Sequence, residues 1–100
     1  MNEKIRILKL INNEEIVGEI EEETEEKYRV KNPCSLGITV NESGNPALSM
    51  TPMLFFSEQK MVELKKSHVL YNVSVATEIQ NRYNQVYGSG IVVPNTKVIS

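Results

Sequence analysis

Apolar and polar residues alternate along most of the chain, and this pattern predicts short β-strands. The first two are residues 4–11 and 15–21, and the Asn12-Asn13 step between them predicts a tight hairpin because asparagine tolerates a positive φ. Apolar side chains fall on both sides of residues 4–11, so we expect both faces of that strand to be partly covered. Gly18 in the second strand predicts a sharp bend or a close backbone approach.

Further strands are predicted in the middle of the chain, separated by turn signals. The pattern gives a turn at residues 22–26, alternation from Tyr28 to Val40 with a kink or an edge at Asn32-Pro33, a loop at residues 41–46, a strand candidate at 48–56 broken by Pro52, a turn at 57–60, and closing strands at Met61–Lys65 and 69–75. Proline lacks a backbone donor, which is why both interruptions fall at prolines.

The period changes after residue 75, where one helix is predicted. Thr77 and Gln80 have the spacing of a capping box with threonine at the N-cap, and Gly88 is a natural stop. The apolar stripe of this helix consists of Ile79, Tyr83 and Val86, flanked by Ala76 and Tyr87. Five or six short strands followed by a single helix favour a small antiparallel barrel in residues 1–88. Residues 89–100 are predicted as a tail, either flexible or adding a strand to a neighbour.

The composition fits one soluble globular domain. The chain has 100 residues, of which 40% are hydrophobic, and this suffices for one modest core. No segment approaches the ~20 apolar residues of a membrane helix, and the opening sequence MNEKIRILKL does not resemble a signal peptide. A single cysteine, Cys34, forms no internal disulfide, so we expect a reducing compartment and a cytoplasmic protein.

Charge is polarised along the chain, although the net charge is only −2. All 13 acidic residues are glutamates, and eight of them form an acidic run, residues 14–26, that contains no lysine or arginine. The simpler interpretation of this run is a solvated strand face and loop, and the alternative is a surface for cations or a basic partner. The run argues against a general attraction to nucleic acid but permits a local one.

Several segments resemble the Sm-like (LSm) protein family. The segment IRILKLINNEEIVGEIEE is similar to the opening hairpin of that family, with Gly18 matching a glycine of its second strand, and MVELKKSHVLYNV is similar to the closing pair of strands. The KNP segment, the TPMLFF segment and a helix with spaced tyrosines resemble the layout of small Sm-like proteins of large tailed phages. The likeness spans roughly residues 4–87.

The resemblance implies a mainly β fold: a strongly bent, five-stranded, SH3-like or Sm-like open barrel, here with one C-terminal helix. It also implies a ring of identical chains joined edge strand to edge strand. Single-stranded RNA is the implied ligand, in the cytoplasm of a host cell if a phage encodes the chain. RNA contacts in the family come from two loops, which correspond here to residues 22–28 and 65–68.

Four residues in those loops are the RNA-binding candidates: Tyr28, Lys65, Lys66 and His68. Lysines contact phosphates, and tyrosine and histidine rings stack on bases. The family's Asp-x-x-x-Asn and Arg-Gly patterns are absent here, since glutamates and Lys65-Lys66 occupy those loops. The alternative is that two lysines simply keep an exposed turn soluble.

An apolar patch around Pro52 is the candidate for contact with a second subunit or another partner. Met53, Phe55 and Phe56 are its predicted members, because residues 52–56 hold more consecutive apolar positions than alternation buries in one small barrel. The alternative is that these side chains belong to the core.

We expect no enzyme, no cofactor and no metal site. Cys34 and His68 are the only thiol and the only imidazole in the chain, too few for zinc within one chain and without an orienting group for nucleophilic catalysis. The sequence leaves two functions open. One is an Sm-like oligomeric module that binds single-stranded RNA, and the other is a homo-oligomeric structural or protein-interaction module without nucleic-acid binding.

Overall fold

The computed structural model describes residues 4–87, which form six strands, one 3₁₀ turn and one helix. The strands are β1 (Ile5–Leu10), β2 (Glu15–Glu23), β3 (Lys27–Val40), β4 (Pro46–Pro52), β5 (Met61–Lys65) and β6 (Val69–Ser74). The 3₁₀ turn, Lys66–His68, joins β5 to β6, and the helix α1 is Thr77–Tyr87. The predicted stop at Gly88 and the predicted tail at residues 89–100 lie outside the described residues.

All strand pairs are antiparallel and form one open sheet in the order β4-β3-β2-β1-β6. β3 has 14 residues and bonds to β2 along one side and to both β4 and β5 along the other. β5 and β6 lie toward opposite ends of the sheet but are joined by only 3 residues, so the sheet curls until these two strands approach each other. The expected mainly β fold with one C-terminal helix is confirmed for residues 4–87.

Six strands are present, as the pattern allowed with its five or six, and one more than the Sm-like resemblance implies. The strand predicted at residues 48–56 ends at Pro52, and residues 53–56 form a turn. β4 and β5 are therefore separate strands that pair with different halves of β3. Proline cannot donate to a ladder, which explains why it stands where the strand ends.

The sheet bends where β2 and β3 pass each other at Gly18. The register shifts between Val17 and Glu19, and Asn32 adopts a positive φ of 50°, so β3 continues through a bend rather than stopping there. A Cβ atom on Gly18 would lie 2.4 Å from Cγ1 of Val30. The predicted close backbone approach at Gly18 is therefore confirmed, and only glycine fits there without movement of its neighbour.

The sheet carries one apolar core on each face. The first core, beneath α1, has Ile5, Val17, Cys34 and Tyr83 as its buried members. The second core, on the concave side enclosed by the curled sheet, has Leu8, Ile16 and Val30. β1 and β2 contribute to both cores, so the expectation that β1 is covered on both faces is confirmed. Burial on both faces explains why β1 carries apolar side chains at both odd and even positions.

α1 packs on the first core through Ile79, Tyr83 and Tyr87. Val86, predicted on this stripe, is instead exposed, because a spacing of four residues follows the helix face better than the shorter step from Tyr83 to Val86. The first helical bond joins the Gln80 N–H to the Ala76 carbonyl. Ala76 is therefore the N-cap, one residue before the threonine predicted for that position.

Tyr83 ties the helix to the bend of the sheet. Its side chain is 2% exposed, and its hydroxyl donates to the carbonyls of Lys31 at 2.9 Å and Asn32 at 3.0 Å. Burial raises the pKa of the Tyr83 hydroxyl, and the nearby Cys34 thiol raises it further. The backbone groups freed by the bend are thus satisfied by a side chain rather than by a neighbouring strand.

Substituting Gly18→Ala is expected to destabilise the fold by about 1–3 kcal/mol, because the β-branched, fully buried Val30 cannot move away without disturbing the second core. The matched control is Gly37→Ala, whose Cβ would meet only the rotatable Ser49 hydroxyl at 3.0 Å. Urea unfolding of both variants is the measurement. Equal midpoints for the two variants would contradict the close approach at Gly18.

Candidate functional site

The four RNA-binding candidates lie where β3 begins and where β5 enters the 3₁₀ turn. Tyr28 is near the start of β3 and pairs with Leu64 of β5. Lys65 ends β5, and Lys66 and His68 begin and end the 3₁₀ turn. The fold brings two of the four into contact, since the Lys66 ammonium lies 5.1 Å from the centre of the Tyr28 ring.

Lys66 is held by groups of the acidic run. Its ammonium is 2.6 Å from a carboxylate oxygen of Glu23, and its backbone N–H donates to the Glu26 carbonyl at 2.7 Å. The same ammonium stands over Tyr28, a favourable cation–π contact, and the Tyr28 ring also packs against the second core. Glu23 therefore neutralises the charge of Lys66. The Lys66 ammonium in turn covers a face of the Tyr28 ring on which a base would have to stack.

Two further ion pairs cross between strands near this position. Arg29 lies 3.3 Å from Glu22, and Lys27 lies 3.3 Å from Glu63. These pairs are exposed, so each contributes only about 0.2–1 kcal/mol. Together with the Lys66 pair they place basic side chains beside the acidic end of β2, where Glu22 and Glu23 of the acidic run are compensated.

Lys65 and His68 have exposed side chains that make no ion pair or hydrogen bond within residues 4–87. Lys65 lies opposite Lys27 in the β3–β5 register, so two positive charges meet there. The His68 carbonyl accepts the Ile11 N–H at 3.0 Å, which fixes its backbone and leaves its ring in solvent. Of the four candidates, these two have side chains open to a ligand.

Four other glutamates of the acidic run, Glu14, Glu15, Glu19 and Glu21, also have protein partners. Glu14 accepts the Ser35 hydroxyl at 2.8 Å, and Glu15 accepts the Tyr71 hydroxyl at 2.5 Å. Burial raises the pKa of the Glu19 carboxyl, and its hydrogen bond with a neighbouring carboxyl raises it further, against the opposing effect of nearby lysines. Within residues 4–87, no group of three or more His, Cys, Asp and Glu side chains is close enough to hold a metal ion.

Cys34 and His68 lie in different environments. The Cys34 thiol is buried in the first core, 3.5 Å from the Tyr87 hydroxyl, whereas the His68 ring is exposed on the 3₁₀ turn. Burial raises the pKa of the Cys34 thiol, with the Tyr87 contact acting in the opposite direction. Burial, assisted by that thiol, also raises the pKa of Tyr87 to about 12. A buried thiol with a raised pKa is a poor nucleophile.

The predicted partner patch, Met53, Phe55 and Phe56, lies in the turn between β4 and β5. Phe56 is 98% exposed and Phe55 is 70% exposed, and their rings stand edge to face with centroids 5.1 Å apart. None of the three joins the buried members of either core. The alternative that these three side chains belong to the buried core is therefore wrong for this turn.

Two apolar surfaces were not predicted as sites from the sequence. Leu70 and Val73 are exposed on β6, and Ile38 and Val40 are exposed near the end of β3. The alternation of apolar and polar residues predicted that both pairs lie on strands. It did not predict which parts of those strands other elements of the fold leave uncovered. For the second pair a signal was present, because Glu42 is the sole charged residue between Lys31 and Glu58.

The sequence matches no protein-family model, and no curated protein shows significant similarity to it. No helix in residues 4–87 has the length and apolar character needed to cross a membrane.

Replacing Lys66→Ala is expected to lower the free energy of unfolding by about 0.5–1 kcal/mol, since it removes the Glu23 ion pair and the contact with Tyr28. Lys65→Ala is the matched control and is expected to change stability by less than about 0.5 kcal/mol. Chemical denaturation of both variants is the measurement. A larger loss of stability in Lys65→Ala than in Lys66→Ala would contradict the assignment of the stabilising contacts to Lys66.

Cys34 is expected to react slowly with iodoacetamide at pH 8 in the folded protein and rapidly in urea, because burial restricts access and raises its pKa. His68→Ala is expected to leave the folded-state labelling rate unchanged, since the two side chains are not in contact. Labelling is followed by mass spectrometry. A marked change of rate in the His68 variant would indicate that the imidazole acts on the thiol.

Proposed function

We propose that the chain is a homo-oligomeric Sm-like module in which β6 of one copy pairs with β5 of the next. The observation that carries the proposal is that both strands have an edge without a strand partner within residues 4–87. Free edges present unpaired backbone groups that readily pair with another chain. Two different edges on one chain give a head-to-tail contact, which closes into a ring when the rotation per copy allows it.

Hydrogen bonds indicate which backbone groups of β5 face its free edge. The Asn32 N–H donates to the Lys60 carbonyl at 2.7 Å, and the Lys66 N–H donates to the Glu26 carbonyl at 2.7 Å. Alternate residues of a strand point to opposite sides, so the even-numbered residues face β3. The N–H and C=O of Glu63 therefore point outward at the centre of the free edge.

The same reasoning applies to β6. β1 bonds to β2 through even-numbered residues, as with the Leu10 N–H and the Glu14 carbonyl at 2.8 Å, so its odd-numbered residues face β6. Ile7 is opposite Val73 in that register, which leaves the N–H of Asn72 pointing outward, while the outward Asn72 carbonyl accepts a bond from the Arg6 guanidinium at 3.3 Å. Neither β5 nor β6 contains a proline, so both edges retain their donors.

The outer edge of β4 is less suitable for pairing. The Met53 N–H donates to the Pro33 carbonyl at 2.9 Å, so the odd-numbered residues on this side of the chain face β3 and the even-numbered ones face outward. Pro46 and Pro52 then stand at outward positions where other residues would offer an N–H. Prolines at such positions protect a sheet edge from pairing.

Exposed apolar side chains beside the β6 edge add to the support. Leu70 is 60% exposed, and Tyr71 and Val73 are also exposed. A paired β5 strand from a second copy would cover part of this surface. The strand order, the bend at Gly18 and the short 3₁₀ turn between β5 and β6 agree with the Sm-like barrel that the sequence resembles.

RNA binding is the second candidate function, supported by the exposed side chains of Lys65 and His68. A ring would repeat this pair in every copy, so weak contacts would add up. The engagement of Lys66 with Glu23 and Tyr28 weighs against it. For this reason assembly, rather than RNA binding, is the function that the geometry supports best.

The variant Glu63→Pro removes an outward N–H of β5 while its bonds to β3 remain, and it is expected to abolish the oligomer. Glu63→Ala is the matched control, because it also removes the Lys27 ion pair but keeps the N–H. Native mass spectrometry of both variants is the measurement, with thermal melting as the check on folding. Loss of the oligomer in both variants, or in neither, would contradict pairing through β5.

A low-salt titration of the same samples with single-stranded RNA distinguishes the second candidate. Binding that disappears at high salt and in a Lys65→Glu, Lys66→Glu variant would support RNA recognition by the assembled module. Absence of binding at low salt, where electrostatic attraction is strongest, would leave a structural or protein-interaction role.

A further inference from the structure

Each free edge of the sheet has one charged group at its centre. On β5 this group is Glu63, the sole acidic residue of the strand, whose backbone groups point outward. β6 itself contains no charged residue, but Arg6 of the adjacent β1 reaches over it. The guanidinium donates from Nε to the Asn72 side-chain oxygen at 2.6 Å and from Nη2 to the Asn72 carbonyl at 3.3 Å. Because that carbonyl points outward, the guanidinium lies at the free edge.

Arg6 forms no ion pair within residues 4–87. It lines a surface cavity together with three consecutive glutamates of β2, but each of these has another partner. Glu22 and Glu23 each pair with a cation of a neighbouring element, and Glu21 shares a hydrogen bond with the Glu19 carboxyl. A guanidinium whose orientation is fixed and which has no carboxylate of its own is well suited to bind one from another molecule.

Glu63 has room for a second cation. Its Oε1 lies 3.3 Å from the Lys27 ammonium, and its side chain is 57% exposed. Its Oε2 has no partner within residues 4–87. A carboxylate offers about four sites for hydrogen-bond donors, so it can bind a lysine and an arginine at the same time.

We infer that Arg6 of one copy binds Glu63 of the next, and that this ion pair sets the register of the proposed β5–β6 pairing, on which the inference rests. In an antiparallel pair, residues whose backbone groups bond to each other are directly opposite, and their side chains share a face. Placing the outward Glu63 opposite the outward Asn72 therefore brings the carboxylate beside the guanidinium that Asn72 holds. The Asn72 carbonyl has two lone pairs, so it can accept the Glu63 N–H of the next copy while Arg6 stays in place.

The same register brings apolar side chains together. The neighbours of Glu63 on β5 are Val62 and Leu64, which pack against the second core. In this register they lie opposite two exposed side chains of β6, Val73 and Tyr71. Cross-strand pairs of β-branched, aliphatic and aromatic side chains stabilise a sheet, and this pairing covers apolar surface that a single chain leaves in solvent.

Registers shifted by two residues lose the match of charges. A shift that sets Glu63 opposite Ser74 also sets Lys65 opposite Asn72, so that two cations meet at Arg6. A shift in the other direction sets Glu63 opposite Leu70 and leaves the guanidinium without a carboxylate. Like charges and unpaired charges disfavour wrong pairings across an interface, so the ion pair selects one register.

The test reverses each charge by itself and then both together. Arg6→Glu and Glu63→Arg each place like charges at every contact, and each is expected to be monomeric at concentrations where the parent protein assembles. The double variant restores opposite charges and is expected to recover the parent mass in native mass spectrometry. Glu42→Arg, in the loop between β3 and β4, makes the same charge change as Glu63→Arg away from both edges and is expected to keep the parent mass.

Neutral variants test the ion pair without adding like charges, with thermal melting as the check on folding. Arg6→Gln and Glu63→Gln are each expected to weaken association about fivefold, the size of a favourable exposed ion pair. The two together are expected to weaken it no further than one alone, because the same contact is lost in each. Loss of the attraction leaves the backbone pairing, in agreement with the oligomer expected for Glu63→Ala. Dissociation constants are measured by analytical ultracentrifugation.

The outcomes separate this inference from the proposed function. Single reversals that keep the parent mass, a double reversal that stays monomeric, or additive losses in the two neutral variants would overturn the ion pair. In each case an assembly that Glu63→Pro abolishes would still support pairing through β5. A parent protein that is monomeric at every concentration would overturn the assembly and the ion pair together.

Discussion

The close approach of β2 and β3 at Gly18 is the constraint on which the rest of the structure depends. It allows β3 to bend at Asn32 without ending, so that one strand pairs with β2 on one side and with both β4 and β5 on the other. The same bend turns two backbone carbonyls toward Tyr83, whose hydroxyl accommodates both. The position of the helix, the curl of the sheet and the juxtaposition of β5 and β6 all follow from it.

Charge in this protein is balanced across strands rather than along the sequence. The acidic end of β2 faces the basic start of β3 and the 3₁₀ turn, where ion pairs join Glu22 to Arg29 and Glu23 to Lys66. This pairing compensates Glu22 and Glu23, two of the eight glutamates of the acidic run. The ion pair with Glu23 also neutralises Lys66. Of the two adjacent lysines, only Lys65 therefore remains available to a ligand.

Much of the fold could be predicted from the sequence, because alternation, Gly18 and the Asn12-Asn13 step are local signals. Less could be predicted of the surface. Whether a strand lies at an edge depends on long-range pairing, so the free edges of β5 and β6 were not visible as such. The contact between Lys66 and Tyr28 depends on the same pairing. Val86 was misplaced because the step of three residues from Tyr83 turns away from the face that Ile79, Tyr83 and Tyr87 present to the sheet.

Assembly through β5 and β6 is the central claim, and hydrogen exchange at single amides in the native particle tests it most directly. The outward amides of Glu63 and Asn72 have no strand partner within residues 4–87, so pairing between copies would slow their exchange to rates like those of amides inside the sheet. The outward Met50 amide on the β4 edge provides the internal comparison and is expected to remain faster. Fast exchange at Glu63 and Asn72 in an oligomeric sample would contradict the claim, because the copies would then be held together by other surfaces.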